Sequence, residues 1–325
     1  MTTSFTRTCA TAIALIGVAI FAQPALANFP ERPVTLVVPF APGGSNDIVA
    51  RQLALQLGEM WGEPVIVENR PGGGATIGTG HVAAQEPDGY TIGIASVTFT
   101  MNAAVQTNIP YDSRNDFTPI AMIGQVPLVI GARPDIPATT PQELIEYLRS
   151  RPGELSYGAT GVGSIQHFAG ELFNQRAGTD VQVVQYQGGG PALTDVMGSH
   201  IEYSIGSLTQ MLPQMNAGNI KGIALTSMER SPAAPDVPTL HESGLEGFEI
   251  LQWWGILGPR GVPDDVVATL NGAINEVLAT DTFKEFLARD GGEPMPMNPQ
   301  ETAAFIAGNF DRWAEVAVAA NITEQ

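Results

Sequence analysis

The chain reads V-T-L-V-V-P-F-A-P-G-G-S-N-D from Val34 to Asp47, and the predicted fold follows from this stretch. Five strand-forming residues precede Pro39, and apolar side chains recur at helical spacing after Ser45. These apolar residues are Val49, Leu53, Leu57 and Met60. We therefore predict a strand, a tight loop and a helix, with Ser45 as the N-cap residue. Asp47 falls in the first turn, where a carboxylate complements the helix dipole.

Two glycines in this loop give it a further property. Gly43 and Gly44 allow a sharp turn and keep side chains away from the start of the helix. The backbone N–H groups of the first turn then face outward, which favours a bound anion. The alternative is an ordinary strand-to-helix connection in which the glycines only make the turn.

The N-terminal residues 1–27 have the features of a secretory signal peptide. Arg7 precedes an apolar run from Ala10 to Ala22, and Ala25-Leu26-Ala27 provides an A-x-A cleavage site. We expect the mature protein to begin at Asn28 and to be exported, with a retained membrane anchor as the alternative. The single cysteine, Cys9, lies in this segment, so the mature protein would have no disulfide and would depend on its core.

The composition restricts the partners. The chain has 15 basic and 33 acidic residues and a formal net charge of −18. This charge argues against nucleic acids and against anionic membrane surfaces as partners. It also gives an anionic ligand no long-range attraction, so any anion site has to be built locally from helix starts and hydroxyl groups.

The strand–loop–helix pattern repeats along the chain. Such alternation predicts an α/β fold with mainly parallel sheets and helices on both faces, in which ligands bind beyond the carboxyl ends of the strands. Further loops rich in glycine or hydroxyl groups follow predicted strands at 71–78, 96–102, 156–164, 186–191 and 206–207. For each of them, turn formation or helix capping is the alternative to a ligand role.

Two long apolar segments predict two lobes. Phe117–Ala132 and Phe248–Gly258 both have the composition of strands, and they bracket one complete α/β unit. We expect them to be two crossing strands that form a double hinge. The predicted division is a signal peptide at 1–27, a first lobe from residues 28–125 and 252–325, and a second lobe from residues 126–251.

Motifs for catalysis or metal binding are missing from the sequence. It has no G-x-S-x-G, H-E-x-x-H or Walker motif, and its four histidines lack metal-ligand spacing. We therefore expect a binding protein without cofactor or metal. His167, near a predicted helix start, is either a structural hydrogen-bonding group or a ligand contact. The rival prediction is an exported lyase or isomerase with His167 as general base.

Several long motifs resemble those of one known family. The motifs are V-P-F-A-P-G-G-S-N-D-I-V-A-R at 38–51, E-N-R-P-G-G-G at 68–74, P-D-G-Y-T at 87–91, G-x-G-S-x-x-H-F-A-G-E-L-F at 161–173 and D-V-P-T at 236–239. They are similar to those of the periplasmic solute receptors of tripartite tricarboxylate transporters, the Bug-type receptors. The resemblance covers essentially the whole mature chain. It implies a two-lobed type II periplasmic-binding-protein fold and capture of a small carboxylate, which is then delivered to a membrane permease. We expect a monomer, and a sensor that presents its ligand to a membrane kinase is a further alternative.

The resemblance also implies which residues bind the ligand. In the family, a carboxylate sits between the first two loops, and the third loop and the second lobe complete the site. Carried over to this sequence, the predicted ligand-binding residues are Phe40, Ala41, Pro42, Gly43, Gly44, Ser45, Ala75, Thr76, Thr98, Asn102, Thr160, Gly163, Ser164, His167, Tyr186, Gly188 and Ser207.

The sequence departs from the family pattern at two places. Phe99 stands where some members have a histidine, and no aspartate lies near Gly206, where some members hold a ligand amine. Both departures make an amino-acid ligand less favoured. Four aromatic residues are candidates to line a less polar pocket for an aromatic or aliphatic acid: Phe40, Phe99, Tyr186 and Trp253. For Trp253 the alternative is packing at the hinge.

Overall fold

The computed structural model describes residues 29–323. The predicted signal peptide and Asn28 lie outside these residues. Within them, no helix has the length and apolar character needed to cross a membrane.

The strands are β1 (Val34–Val38), β2 (Val65–Asn69), β3 (Thr91–Ser96), β4 (Phe117–Ala132), β5 (Ser156–Ala159), β6 (Gln182–Gln185), β7 (Tyr203–Ser207), β8 (Lys221–Leu225), β9 (Leu251–Pro259) and β10 (Glu293–Pro294). The helices are α1 (Ser45–Trp61), α2 (Thr76–Ala83), α3 (Val97–Val105), α4 (Pro141–Arg149), α5 (Ile165–Ala177), α6 (Gly189–Met197), α7 (Leu208–Asn216), α8 (Asp264–Ala279), α9 (Asp281–Arg289) and α10 (Pro299–Ala319).

The strands form one continuous sheet in the order β2-β1-β3-β9-β4-β7-β5-β6, with β8 and β10 also paired to β4. At one end, β1 runs parallel to both β2 and β3. At the other end, β5 runs parallel to β6 and β7. The two parallel groups are the centres of two lobes, and the predicted α/β class is confirmed.

Helices cover both faces of the sheet, as the sequence predicts. On one face of β1, Leu36 packs in the cluster that contains Leu53 of α1. On the other face, Val37 belongs to the cluster that contains Val82 of α2. A strand buried on both faces needs a continuous apolar run, and V-T-L-V-V is close to one.

The long strand β4 connects the two lobes. Its residues from Phe117 to Pro127 pair with β9, and those from Leu128 to Ala132 pair with β7 and β8. β9 runs antiparallel between β3 and β4, so it is the second crossing strand. The polypeptide therefore crosses between the lobes at neighbouring positions, which is the geometry of a double hinge.

The C-terminal helix α10 braces this crossing. It begins with the cap that the sequence N-P-Q-E at 298–301 predicts, in which Asn298 and Glu301 exchange hydrogen bonds of 2.9 Å between side chain and backbone. Farther along, Asn309 Oδ1 accepts hydrogen bonds from Trp253 Nε1 of β9 at 3.0 Å and from Trp313 Nε1 at 3.3 Å. One amide oxygen thus joins the crossing strand to the helix.

This shared acceptor leads to a stability prediction. In Asn309→Ala both indole N–H groups lose their acceptor in a largely buried place, so we expect the free energy of unfolding to fall by about 2 kcal/mol. Urea unfolding followed by tryptophan fluorescence measures it. Asp311→Ala, on the same helix, removes only the exposed ion pair with Arg114 and is expected to cost less than about 1 kcal/mol. Equal losses in the two variants would contradict the bracing role.

Candidate functional site

A small cavity lies where the starts of five helices meet between the lobes. The helices are α1, α3, α5, α6 and α7, and each contributes residues from its first turn. The cavity is lined by Phe40, Gly44, Ser45, Asn46, Thr98, Thr160, Ile165, Gln166, Gly189, Gln210 and Gln252. None of these residues carries a charge, so the polarity of the cavity comes from amides, hydroxyl groups and helix starts.

Four of the five helix starts have no side-chain cap. The N-cap residues of α1, α3, α6 and α7 accept no hydrogen bond on their side chains from the helix. The first N–H groups of a helix have no acceptor inside the helix, and they carry a partial positive charge. The cavity therefore favours an anion without any lysine or arginine.

The start of α5 differs because side chains of the protein accept hydrogen bonds from its first N–H groups. Ser164 accepts a hydrogen bond from the His167 amide at 3.2 Å. The hydroxyl of Thr98, from the other lobe, accepts one from the Ile165 amide at 3.1 Å. This helix start therefore contributes less to anion binding than the other four.

The start of α1 corrects one sequence prediction. Gly44, and not Ser45, is the N-cap residue, and Ser45 is the first residue of the helix. A serine cap would satisfy a backbone N–H group, whereas glycine leaves the helix start open towards the cavity.

The carboxylate of Asp47 fixes the loop between β1 and α1, which is the first loop of the site. It accepts hydrogen bonds from the Gly43 amide at 3.0 Å and from Asn69 at 2.9 Å, and it forms an ion pair with Arg51 at 2.8 Å. Asn69 also donates to the carbonyl of Phe40 at 3.0 Å. Burial raises the pKa of Asp47, but the hydrogen bonds from Arg51, Gly43 and Asn69 outweigh it, so the pKa lies below its ordinary value.

The two lobes touch through backbone at the rim of the cavity. The Ala41 amide donates to the Gln187 carbonyl at 3.0 Å, next to the start of α6. An added Cβ on Gly44 would lie 3.3 Å from the Gly189 nitrogen, and one on Gly190 would lie 2.5 Å from the Pro42 oxygen. These glycines permit a contact that larger residues would prevent.

A second contact between the lobes lies at the mouth of the cleft. Gln106 Nε2 donates to the Val162 carbonyl at 2.5 Å. An added Cβ on Gly161 would lie 2.3 Å from the Cα atom of Gly74. An open groove at this mouth shares Thr160 with the cavity, and Tyr186 lines it.

Five of the predicted ligand-binding residues line the cavity: Phe40, Gly44, Ser45, Thr98 and Thr160. Ala41, Pro42, Gly43 and Gly188 belong to the loops that touch at its rim. Ala75, Thr76, Asn102 and Gly163 lie around the second contact, where Thr76 donates to Gly73 and Asn102 donates to Gly74. Ser164 caps α5, and the Ser207 hydroxyl is buried without a hydrogen-bond partner.

His167 lies behind the lining rather than in it. The imidazole is 2% exposed, and its Nδ1 accepts a hydrogen bond from the Gly163 amide at 3.3 Å. Burial lowers the pKa of His167, which favours the neutral ring that this bond requires. These contacts are those of a structural hydrogen-bonding group.

The lining is more polar than the sequence suggested. Phe99 packs against Phe117 and Phe310, with ring centroids 5.2 Å and 5.5 Å apart. Trp253 packs against Phe305 and lies at the hinge. Of the four aromatic candidates, Phe40 alone lines the cavity, whereas four carboxamides do so: Asn46, Gln166, Gln210 and Gln252.

Six lining residues were missed by the sequence analysis: Asn46, Ile165, Gln166, Gly189, Gln210 and Gln252. Asn46 and Gln166 adjoin predicted residues in first turns, so including whole first turns would have found them. For Gln252 a signal existed, because it is a polar residue inside the apolar run of a strand. Among the described residues, no group of three or more His, Cys, Asp or Glu could hold a metal ion.

The role of Asp47 leads to a pH prediction. Because its pKa is lowered in the folded protein, its charged form stabilises the fold above the unfolded carboxyl pKa of about 3.9, and this contribution disappears as the pH falls through the folded pKa. We expect Asp47→Asn to lower the free energy of unfolding at pH 7 and to differ less from the parent near pH 3. Urea titrations at the two pH values measure the difference, and a pH-independent gap would contradict the prediction.

The contact at Gly190 leads to a prediction about closure. In Gly190→Ala the new Cβ meets backbone of the other lobe, so we expect the lobes to stay farther apart and the radius of gyration in solution scattering to increase. Gly272→Ala in α8 is the matched control, since a Cβ there has no neighbour within 4 Å. Each substitution replaces a helical glycine and should gain about 1 kcal/mol in helix propensity. An unchanged radius in Gly190→Ala would refute the contact.

The fold and the sequence match known receptors over most of their length. Residues 49–322 match the family described as tripartite tricarboxylate transporter family receptor. Protein BugT of Bordetella pertussis is 35% identical over 311 residues, covering 94% of this chain and 95% of that protein. The solved structure of the periplasmic binding protein BugD has a TM-score of 0.89 at 36% identity, with 91% of this chain and 100% of that chain covered.

Two further solved structures contain bound acids. The Rhodopseudomonas palustris protein MatC, with bound malate, has a TM-score of 0.85 at 32% identity and covers 89% of this chain and 99% of its own. R. palustris Rpa4515, with adipate, has a TM-score of 0.88 at 35% identity and covers 91% of this chain and 99% of its own. The fold is that of a two-lobed periplasmic binding protein, and the chain belongs to the tripartite tricarboxylate transporter receptor family.

Proposed function

We propose that this protein captures a small organic carboxylate between its lobes in the periplasm and delivers it to the membrane permease of a tripartite tricarboxylate transporter. The observation that carries the proposal is the meeting of five helix starts, four without side-chain caps, around a cavity with no charged lining residue. A carboxylate can be satisfied by N–H and hydroxyl groups alone. That two relatives have bound adipate and malate supports the same class of ligand.

Capture requires that the ligand contact both lobes. We assign residues 28–125 and 252–325 to the first lobe and residues 126–251 to the second. The cavity offers α1 and α3 from the first lobe and α5, α6 and α7 from the second. A ligand that binds both sets stabilises the closed form over the open form, whereas equal contacts in the two forms would shift nothing. The protein acts as a monomer, and residues 1–27 direct its export and are then removed.

The alternative of an exported enzyme has little support at His167. Its Nδ1 already accepts a backbone hydrogen bond, and its side chain does not line the cavity. The alternative of a sensor for a membrane kinase shares the same ligand site, and the proteins encoded beside this chain are the evidence that would separate it from a transport receptor.

The first experiment is a thermal-shift screen of organic acids, because a ligand that binds only the native state raises the unfolding temperature. We expect one or more small acids to raise it, with saturation in isothermal titration calorimetry. Nuclear magnetic resonance of the acid after prolonged incubation should show it unaltered. Steady conversion that His167→Ala abolishes would establish the enzyme instead, and a screen in which no acid binds would refute the carboxylate site.

A further inference from the structure

The cavity contains hydrogen-bond acceptors that the protein itself does not satisfy. Gln252, on the crossing strand β9, is 2% exposed, and Gln210, in the first turn of α7, is 5% exposed. Both side chains line the cavity. An amide oxygen that has no protein donor takes its hydrogen bond from whatever fills the cavity, either water or a group of the ligand.

The orientation of these two amides is fixed by their NH₂ groups. Gln210 Nε2 donates to the Gly189 carbonyl at 2.6 Å. Gln252 Nε2 donates to the Trp253 carbonyl at 3.3 Å. Turning either amide over would set two oxygens against each other, so in both residues Oε1 is the free atom. In the described part of the chain, neither Oε1 accepts a hydrogen bond from the protein.

A third acceptor belongs to another residue of the lining, Asn46. Asn46 Oδ1, in the first turn of α1, is buried and has no hydrogen-bond partner. Asn46 and Gln252 belong to the first lobe, and Gln210 belongs to the second. The free acceptors therefore come from both lobes.

A carboxylate alone does not fit this set of groups. Its oxygens only accept, so they match the N–H groups at the helix starts and are repelled by the carboxamide oxygens. An aliphatic or aromatic remainder would displace water from the oxygens without replacing its hydrogen bonds, which lowers affinity. An ammonium group can donate, but no acidic residue lines the cavity to balance its charge, and the helix starts disfavour a cation. A neutral hydroxyl group donates one hydrogen bond, to one of these acceptors, without either cost.

We propose that the ligand is a hydroxy acid, whose carboxylate binds the uncapped helix starts and whose hydroxyl donates to the free Oε1 of Gln252 or Gln210. This inference rests on the proposed function and narrows its ligand class. It makes the two glutamines determinants of specificity, since they would distinguish acids with the same skeleton by one substituent.

The test compares acids that differ at one position. Malate, succinate and aspartate have the same four-carbon diacid skeleton with a hydroxyl, a hydrogen or an ammonium group, and lactate, propionate and alanine form the three-carbon set. Calorimetry gives Kd for each acid. In the set that binds more tightly, we expect the hydroxy acid to bind at least ten-fold more tightly than the unsubstituted acid, and the amino acid to bind most weakly.

Substitution of the glutamine identifies the group responsible. Gln252→Met keeps the length of the side chain and removes its acceptor, so the preference for the hydroxy acid should fall at least five-fold while binding of the unsubstituted acid changes less than three-fold. Gln210→Met is the second variant. Gln214→Met, one turn farther along α7 and outside the lining, is the control and should leave the preference unchanged. A damaged fold would weaken all acids alike, so the ratio of affinities separates recognition from stability.

The outcomes distinguish the two proposals. Tightest binding by an acid without a hydroxyl group, adipate included, or by an amino acid, overturns the hydroxy-acid inference and leaves the carboxylate receptor in place. A preference that survives in both glutamine variants also overturns it. If no acid binds, the proposed function fails and this inference fails with it.

Discussion

The structure depends on leaving backbone N–H groups without partners in an enclosed place. Folding normally satisfies such groups, because a buried donor without an acceptor costs free energy. Here four helix starts around one cavity have no side-chain cap, and Gly44 occupies the position where a capping side chain would have closed α1. The cost becomes binding free energy when an anion arrives, since its oxygens complete the hydrogen bonds that the fold left open.

The overall charge of the protein makes this local arrangement necessary. With 33 acidic and 15 basic residues, the molecule as a whole repels an acid. The cation closest in sequence to the first loop, Arg51, forms an ion pair with Asp47 and does not line the cavity. The carboxylate of that pair fixes the loop through its hydrogen bonds with Gly43 and Asn69. The charged pair therefore positions the backbone N–H groups, and the N–H groups provide the attraction for an anion.

The sequence predicts the fold well because local residue patterns determine most of its strands and helices. The strand and helix of Val34–Asp47 follow from composition and spacing, and the long segment Phe117–Ala132 forms one strand with those bounds. The cap at Asn298 follows from a three-residue signature. Ser45 was predicted as a cap since its residue type favours capping, and the choice of Gly44 depends on loop geometry that no short pattern contains.

The lining of the cavity was harder to predict, because it is assembled from residues distant in sequence. Phe40, Gly44 and Thr98 follow from the loops, but Gln210 and Gln252 meet them only once the crossing strands bring the lobes together. Phe99 was expected to line the pocket, but its ring packs in an aromatic cluster with Phe117 and Phe310. Carboxamide side chains line the cavity instead.

The glycines of these loops have two physical roles that sequence alone could not separate. One is to keep the start of α1 open, and the other is to let the two lobes approach until backbone meets backbone, as Gly44 meets Gly189 and Gly74 meets Gly161. The second role explains why glycines occur in loops of both lobes and not only where an anion would bind. The loops that present N–H groups to the cavity are therefore also the loops through which the two lobes touch. A side chain added there would change the size of the cavity and the extent of closure together.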